Sequence, residues 1–89
     1  MTSDGQAASD SAALTDLIRV IATELVDNPG EVEVSEVAGE QNTVIELRVA
    51  RGDIGKVIGK EGRTAQSMRT ILSAVSQKLG RRAHLDIVD

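Results

Sequence analysis

The sequence predicts a small α+β domain with the element order α-β-β-α-α-β. Apolar residues recur at the three-to-four-residue spacing of a helix in two separate segments. Apolar and polar residues alternate, as in half-buried strands, in three further segments. The length of 89 residues suits one domain with two layers around a single core. That core must be aliphatic, because the chain has no Phe, Tyr or Trp.

The chain begins with small polar residues, and a helical pattern follows. Residues 1–11 are rich in Ser, Ala and Gly, which predicts a disordered N-terminal tail and assigns the single domain to residues 12–89. Ser11 or a neighbouring polar residue can cap the first helix. The apolar stripe of this helix is Leu14, Leu17, Ile18, Ile21, Leu25 and Val26. Asn28 ends the helix, because a residue before proline is pushed out of the helical region.

A hairpin of two strands is predicted next. Residues 31–35 alternate strictly between acidic or polar and aliphatic side chains, and residues 43–49 place three aliphatic side chains on one face. Residues 38–42 form the turn between the two strands. Because this connection is short, we expect the strands to pair antiparallel.

Two helices and a last strand complete the predicted order. Asp53 is positioned to cap a short helix over residues 54–58. The longer helix that follows has an apolar face made of Ala65, Met68, Ile71, Leu72, Val75 and Leu79. Gly80 ends this helix, since glycine is common just past a helix C-terminus. Residues 83–87 alternate again and predict the third strand.

The turn between the two later helices has the sequence Gly59-Lys60-Glu61-Gly62. Two glycines three residues apart let the backbone turn tightly and approach a ligand, because no Cβ is in the way. The helix that starts after the turn directs unpaired N–H groups into the same space, where they favour phosphate. Lys56, Lys60 and Arg63 add positive charge. The turn therefore predicts a clamp for a nucleic-acid backbone, and the alternative is a plain helix–helix turn.

Charge is distributed unevenly along the chain, although the net charge is −4. Residues 1–50 carry two arginines against ten acidic residues, whereas residues 51–82 carry eight basic residues against two acidic ones. The local field steers a polyanion more than the total charge does, so the basic segment is compatible with nucleic acid. Arg69, Arg81 and Arg82 are candidates for an extended phosphate track, or alternatively are solvated surface charges.

Composition and spacing argue against several other classes of function. Without cysteine, disulfides and thiolate metal sites are excluded, and a single histidine does not make a metal site. The glycines do not match a P-loop, no cofactor is expected, and no catalytic grouping predicts an enzyme. No apolar run approaches the roughly 18 residues of a membrane span. The polar, acidic start is unlike a signal peptide, so a cytoplasmic location is expected.

Several stretches of the sequence resemble a known family. Val57-Ile58-Gly59-Lys60-Glu61-Gly62 between two helices, in this element order, resembles a KH domain of type II topology. Residues 25–29, 54–64 and 85–89 are similar to the small stand-alone bacterial KH proteins of the KhpA (YlqC-like) family. The resemblance covers residues 14–89. It implies a three-stranded mixed sheet that is covered on one face by helices.

The resemblance also implies single-stranded RNA binding, about four nucleotides at a time. The implied RNA-binding residues are Gly55, Lys56, Ile58, Gly59, Lys60, Glu61, Gly62, Arg63 and Thr64. It implies pairing as well, either as a homodimer or with a larger KH-containing RNA-binding protein (KhpB, or Jag). A role as a post-transcriptional regulator or RNA chaperone, linked to cell shape, follows from the resemblance alone.

Two features of the residues modify the expected binding mode. Glu61 is acidic at the second position between the two glycines, where neutral or basic residues suit phosphate better, so we expect it to weaken binding without abolishing it. Because no aromatic side chain is present for stacking, bases must lie on an aliphatic groove. The candidate walls of that groove are Ile54, Val57, Ile58, Leu85 and Ile87.

Two other hypotheses remain open at this point. The fold can serve as a protein-interaction or dimerisation module, for which Val20, Val44 and Val88 are candidates for an exposed apolar patch. Single-stranded DNA is the other alternative ligand. Both hypotheses keep the α+β fold and differ only in what contacts its surface.

Overall fold

The computed structural model describes the backbone of residues 2–40 and 42–88, and the side chains of these residues from residue 12 onward. The predicted order α-β-β-α-α-β is confirmed. The elements are α1 (Thr2–Leu25), β1 (Glu33–Ala38), β2 (Asn42–Arg48), α2 (Ile54–Ile58), α3 (Arg63–Lys78) and β3 (Arg82–Val88). Short 3₁₀ turns precede β1, α2 and α3. The predicted bounds of α2 match the structure at both ends.

The first helix begins earlier than its apolar stripe predicts. The structure gives helical backbone from Thr2, whereas the sequence predicts a disordered tail over residues 1–11. This stretch contains two alanines, and residues 12 and 13 are alanines too, the residue type with the highest helix propensity. Side chains up to residue 11 lie outside the described part of the chain. Ser11 lies inside α1, so the prediction that it caps the start of this helix is wrong. The domain boundary at residue 12 stays a prediction.

The three strands form one mixed sheet in the order β1-β2-β3. β1 and β2 pair antiparallel, with Val34 opposite Leu47, which confirms the predicted pairing. The predicted bounds of β1 are wrong, because Glu31 belongs to a 3₁₀ turn and the strand extends to Ala38, into the predicted turn. β2 and β3 pair parallel, with Ile45 opposite Leu85. Parallel neighbours need a crossover, and α2 and α3 provide it. This topology places the glycine turn on the helical layer that connects β2 to β3.

The core lies between one face of the sheet and the helices. Its members are aliphatic, as the composition requires, and the fully buried ones include Leu14, Ile18, Ile45, Leu47, Val57 and Leu72. Burial alternates along β2, so the opposite face of the sheet is left uncovered among the described residues. The predicted sheet with helices on one face is thus confirmed.

The apolar stripes of the helices are shifted slightly from the predicted ones. Ala22 of α1 and Ser76 of α3 are buried, whereas Leu25 and Ile71 are 37% and 44% exposed. Small residues fit where helices and sheet approach closely, and a larger side chain is turned outward at the edge of the contact. Ser76 satisfies its hydroxyl by donating to the Ser73 carbonyl at 3.0 Å.

The end of α3 confirms the role predicted for Gly80. Gly80 has a φ of +74°, a left-handed conformation that glycine adopts at little cost. Its N–H donates to the Gln77 carbonyl at 3.0 Å, and the Arg81 N–H donates to the Ser76 carbonyl at 2.8 Å. These two bonds close the helix and turn the chain into β3.

Candidate nucleic-acid interface

The glycine turn has a backbone that few residue types other than glycine adopt. Gly59 has φ and ψ of +78° and 172°, and Gly62 has values of +75° and 11°. The Gly59 N–H closes α2 by donating to the Gly55 carbonyl at 2.8 Å, and the Gly62 N–H donates back to the Gly59 carbonyl at 3.1 Å. The turn, which we call the glycine loop (residues 59–62), is therefore held by its own backbone.

Gly59 is also required by its contact with the helix that follows. A Cβ on Gly59 would lie 2.6 Å from the Thr64 Cβ and 2.8 Å from the Thr64 backbone nitrogen. Gly62, in contrast, has open space around it and depends on glycine only for its positive φ. Thr64 thus packs against the loop backbone and sets how closely α3 approaches it.

The first turn of α3 is open to an anion. Gly62 precedes the helix and provides no side-chain cap, and no acidic residue lies in the first helical turn. The N–H groups at the start of an uncapped helix lack intrahelical partners and favour negative charge. The Arg63 N–H is not among the free groups, because it donates to the Lys60 carbonyl.

Glu61 has an unusual backbone conformation and forms an ion pair with Arg63. It is the one residue other than glycine with a positive φ, +57°, among those described. Its carboxylate lies 3.2 Å from Nη2 of Arg63, and both side chains are largely exposed. Glu61 therefore neutralises part of the charge that Arg63 offers to a ligand.

Lys56 is positioned differently from the sequence prediction. It was predicted to surround the loop with charge, but its Nζ lies 3.3 Å from Oδ2 of Asp27 and 3.8 Å from Oδ1 of Asp53. Its side chain is 44% exposed. Lys56 thus ties α2 to the end of α1. Of the loop cations, Lys60 alone makes no ion pair in the described part of the chain.

Asp53 is buried at the start of α2. Contrary to the prediction, its side chain makes no capping hydrogen bond to that helix. The Asn28 backbone N–H and Nδ2 each donate to its Oδ2 at 3.1 Å. Asn28 has φ and ψ of −118° and 71°, outside the helical region, as expected of a residue before proline. The carboxylate therefore joins the end of α1 to the start of α2, which carries the glycine loop.

The ionised form of Asp53 stabilises the fold. Burial raises the pKa of Asp53, but hydrogen bonds from Asn28 and the Asp27 backbone, together with the charge of Lys56, outweigh it and hold the pKa below its ordinary value of 3.8. Because the folded pKa lies below the unfolded one, this stabilisation is complete above pH 3.8 and is lost as pH falls through the folded pKa.

We expect Asp53→Asn to lower the melting temperature at pH 7, because the variant loses the negative charge and its amide NH2 must face a donor, either those of Asn28 or that of Lys56. The difference from wild type should narrow as pH falls through the folded pKa of Asp53, which lies below 3.8, because the wild-type carboxylate then loses its charge too. Far-ultraviolet circular dichroism at several pH values measures this. Asp16→Asn, which alters an exposed carboxylate, is the matched control and should change the melting temperature little. A difference that does not vary with pH would contradict the role given to Asp53.

The predicted aliphatic groove is only partly accessible. Val57 is fully buried and Leu85 is 6% exposed, so both belong to the core, and the prediction that Val57 contacts bases is wrong. In a helix of five residues, the sequence does not show which side faces the core when both sides carry isoleucine or valine. Ile58 is 39% exposed beside the loop, while Ile54 and Ile87 are half-buried. Ile58 is therefore the aliphatic side chain best placed for a base.

The three arginines predicted to form an extended phosphate track, Arg69, Arg81 and Arg82, line one cleft between the C-terminal half of α3 and the start of β3. Its volume is about 430 Å³. Its polar lining consists mainly of Arg69, Ser73, Gln77, Arg81, Arg82 and His84. Nη2 of Arg81 donates to the Thr43 hydroxyl at 3.2 Å, so this side chain is anchored to β2. We call this feature the arginine cleft; the sequence did not show that its arginines share one cavity.

The predicted apolar patch of Val20, Val44 and Val88 is not assembled. Val20 is 62% exposed on α1, whereas the two other valines lie on the sheet and are half-buried. Val44 is opposite His84 and Val88 is opposite Arg48, so four residues separate them along the strands. The three side chains therefore do not form one surface.

The described residues include no group of three or more His, Asp or Glu side chains arranged to hold a metal ion. Among the described helices, none is both long enough and apolar enough to span a bilayer. His84 is exposed on β3 and lines the arginine cleft. These observations leave the glycine loop and the arginine cleft as the candidate sites.

Comparison with known proteins identifies the family. A family model described as "KhpA/KhpB, KH domain" matches residues 15–87. The chain belongs to this family of KH domains. The match spans every helix and strand around the glycine loop, so the predicted resemblance is confirmed.

Proteins named "RNA-binding protein KhpA" are similar to this KH domain over nearly their whole length. That of Aquifex aeolicus is 50% identical over 78 residues, which is 88% of this chain and 99% of the relative. That of Clostridium acetobutylicum is 50% identical over 72 residues, 81% and 96% of the two chains. That of Treponema pallidum is 50% identical over 74 residues, 83% and 92% of the two chains.

A solved structure supports the fold. A crystal structure of an Aquifex aeolicus Era variant bound to GDP and aluminium fluoride matches with a TM-score of 0.59 and 21% identity. The match covers 84% of this chain but only 29% of the Era chain. At this identity the likeness concerns the KH fold alone.

Proposed function

We propose that this KH domain binds single-stranded RNA, with the glycine loop as a clamp on the sugar-phosphate backbone. The observation that carries the proposal is the loop itself, where two glycines at positive φ are followed by an uncapped helix. Relatives at about half identity are named RNA-binding proteins. The backbone approaches closely at the glycines, and the helix N–H groups bind phosphate oxygens.

Lys60 is the principal cationic contact in this proposal. It is exposed on the loop, and Arg63 stands beside it with 80% of its side chain exposed. Gly55 and Thr64 act through the backbone geometry of the loop, and Ile58 contacts a base. Lys56 acts indirectly, because its ion pairs fix α2 rather than meet the phosphate.

Salt dependence tests the proposal. Fluorescently labelled single-stranded RNA should bind with an affinity that falls between about 50 and 200 mM salt, with a logarithmic slope of about −1.4 to −2.8 for two to four phosphate contacts. Double-stranded RNA of equal length should compete poorly, and single-stranded DNA shows whether the 2′-hydroxyl matters. Affinity that does not change with salt would contradict a backbone clamp.

Glu61→Gln should tighten RNA binding at low salt. It removes a negative charge from the loop and releases Arg63 from its ion pair at 3.2 Å. Exposed pairs contribute up to about 1 kcal/mol, so we expect up to about a fivefold gain in affinity. Glu24→Gln, on an exposed face of α1, removes the same charge elsewhere and is the control. Unchanged affinity would show that Glu61 does not oppose the ligand.

We infer that the domain acts in pairs, as a homodimer or with a larger KH-containing protein of the KhpB or Jag kind. Without aromatic stacking, a single copy binds weakly, and a second RNA site raises avidity through effective concentration. Exposed Val20 and Ile71 are apolar side chains available to such a contact. Light scattering at several concentrations, with and without RNA, tests the pairing; a monomer under all conditions would contradict it. A cytoplasmic post-transcriptional regulator or RNA chaperone, with a role in cell shape, is the setting that this activity suits.

A further inference from the structure

The arginine cleft carries more uncompensated positive charge than the glycine loop. At the loop, the charges of Lys56 and Arg63 are met by carboxylates, which leaves Lys60. At the cleft, Arg69 and Arg82 line one cavity beside the anchored Arg81, and no carboxylate is among its lining residues. Arg69 and Arg82 are exposed and make no ion pair within the described residues. A polyanion drawn to the loop would therefore meet a stronger site nearby.

A continuous flank of α3 joins the two sites. At 100° per residue, Arg63, Gln66, Arg69, Thr70, Ser73 and Gln77 fall on one side of the helix. α3 contains no acidic residue. A shallower depression that includes Gln66 and Thr70 shares Arg69, Ser73 and Gln77 with the arginine cleft. The flank of α3 between Arg63 and the cleft is thus polar and contributes no negative side chain.

We propose that the arginine cleft holds phosphates of RNA nucleotides that extend past those held by the loop, so that the footprint exceeds four nucleotides. The inference rests on the proposed function. Arg69 lies about 9 Å beyond Arg63 along the helix axis, within reach of an extended strand. Guanidinium groups bind phosphate oxygens with two parallel hydrogen bonds. Ser73 and Gln77 supply neutral donors and acceptors for the ribose hydroxyls, and the ring nitrogens of His84 line the same cavity.

Comparison of RNA lengths tests this inference. Full-length protein is titrated with labelled single-stranded RNAs of four and eight nucleotides, and the readout is the ratio of the two affinities. The ratio for wild type should be at least about tenfold, because two further phosphate contacts are gained. The Arg69→Gln/Arg82→Gln variant should reduce the ratio to about fivefold, which the several four-nucleotide registers of the longer RNA give without the cleft, and its salt slope with eight nucleotides should be shallower by about 1.4.

The matched control is Arg48→Gln/Lys78→Gln, which removes two exposed charges that do not line the arginine cleft. It should keep the wild-type ratio. Circular dichroism establishes that both double variants are folded. An equal ratio in the cleft variant and in wild type would overturn the inference and leave the clamp intact. If wild type shows no salt-dependent binding of either RNA, the proposed function falls, and the inference falls with it.

Discussion

Replacing Lys60 and Glu61 together by aspartate is expected to abolish RNA binding and leave the fold intact. Lys60 is the loop cation without an ion pair in the described part of the chain, and aspartate there repels the phosphate it would otherwise bind. A hydrogen bond to a charged group contributes about 1.5–3 kcal/mol, so losing it lowers the affinity by about 10- to 100-fold, and repulsion from the new carboxylate adds to this loss.

The fold should survive this double substitution for two reasons. Both side chains are exposed, and neither belongs to the core. Aspartate also tolerates the left-handed conformation that Glu61 adopts at a φ of +57°. Lys78→Asp/Glu24→Asp makes the same exchanges on exposed helix positions away from the loop and is the control. Wild-type affinity in the loop variant would mean that RNA is held elsewhere.

Gly59→Ala should destabilise the domain by about 2–4 kcal/mol, since strained backbone and overpacking each cost about 1–3 kcal/mol. Alanine is poorly suited to the φ of +78° and ψ of 172°, and its Cβ would lie 2.8 Å from the Thr64 backbone nitrogen. Rotation of the Thr64 side chain does not relieve a contact with its backbone. Thermal unfolding followed by circular dichroism measures the loss.

Gly55→Ala is the matched control for this prediction. Gly55 lies in α2, four residues before Gly59, and a Cβ there would meet nothing within 4 Å. Alanine in a helix interior is favoured over glycine by about 0.5–1 kcal/mol, so this variant should be unchanged or slightly more stable. Equal destabilisation by the two substitutions would contradict the special geometry of Gly59.

Most of the fold was predictable because local chemistry marks its boundaries. Gly80 ends α3, and period-two alternation identifies the three strands. Pro29 indicates where α1 must stop, although the helix already ends at Leu25 and not at Asn28 as predicted. The glycine loop was predictable for the same reason, since its geometry depends on two glycines within four residues. The early start of α1 was missed because the composition of residues 1–11 resembles that of a disordered tail.

The partners of the site residues were not predictable from the sequence. Lys56 and Asp53 meet Asp27 and Asn28, which lie 25 or more residues earlier, and no local pattern records such a contact. The same limit applies to the arginine cleft, where the start of β3 meets α3 only after the chain has turned at Gly80. Burial of Val57 was missed because periodicity is weak in a five-residue helix.

The most direct measurement of the central claim is an amide chemical-shift titration of isotope-labelled protein with a four-nucleotide RNA. The account predicts the largest changes at the backbone amides of residues 59–64, because the loop and the first turn of α3 hold the phosphates. Changes confined to the uncovered face of the sheet, with the amides of the glycine loop unaffected, would contradict it.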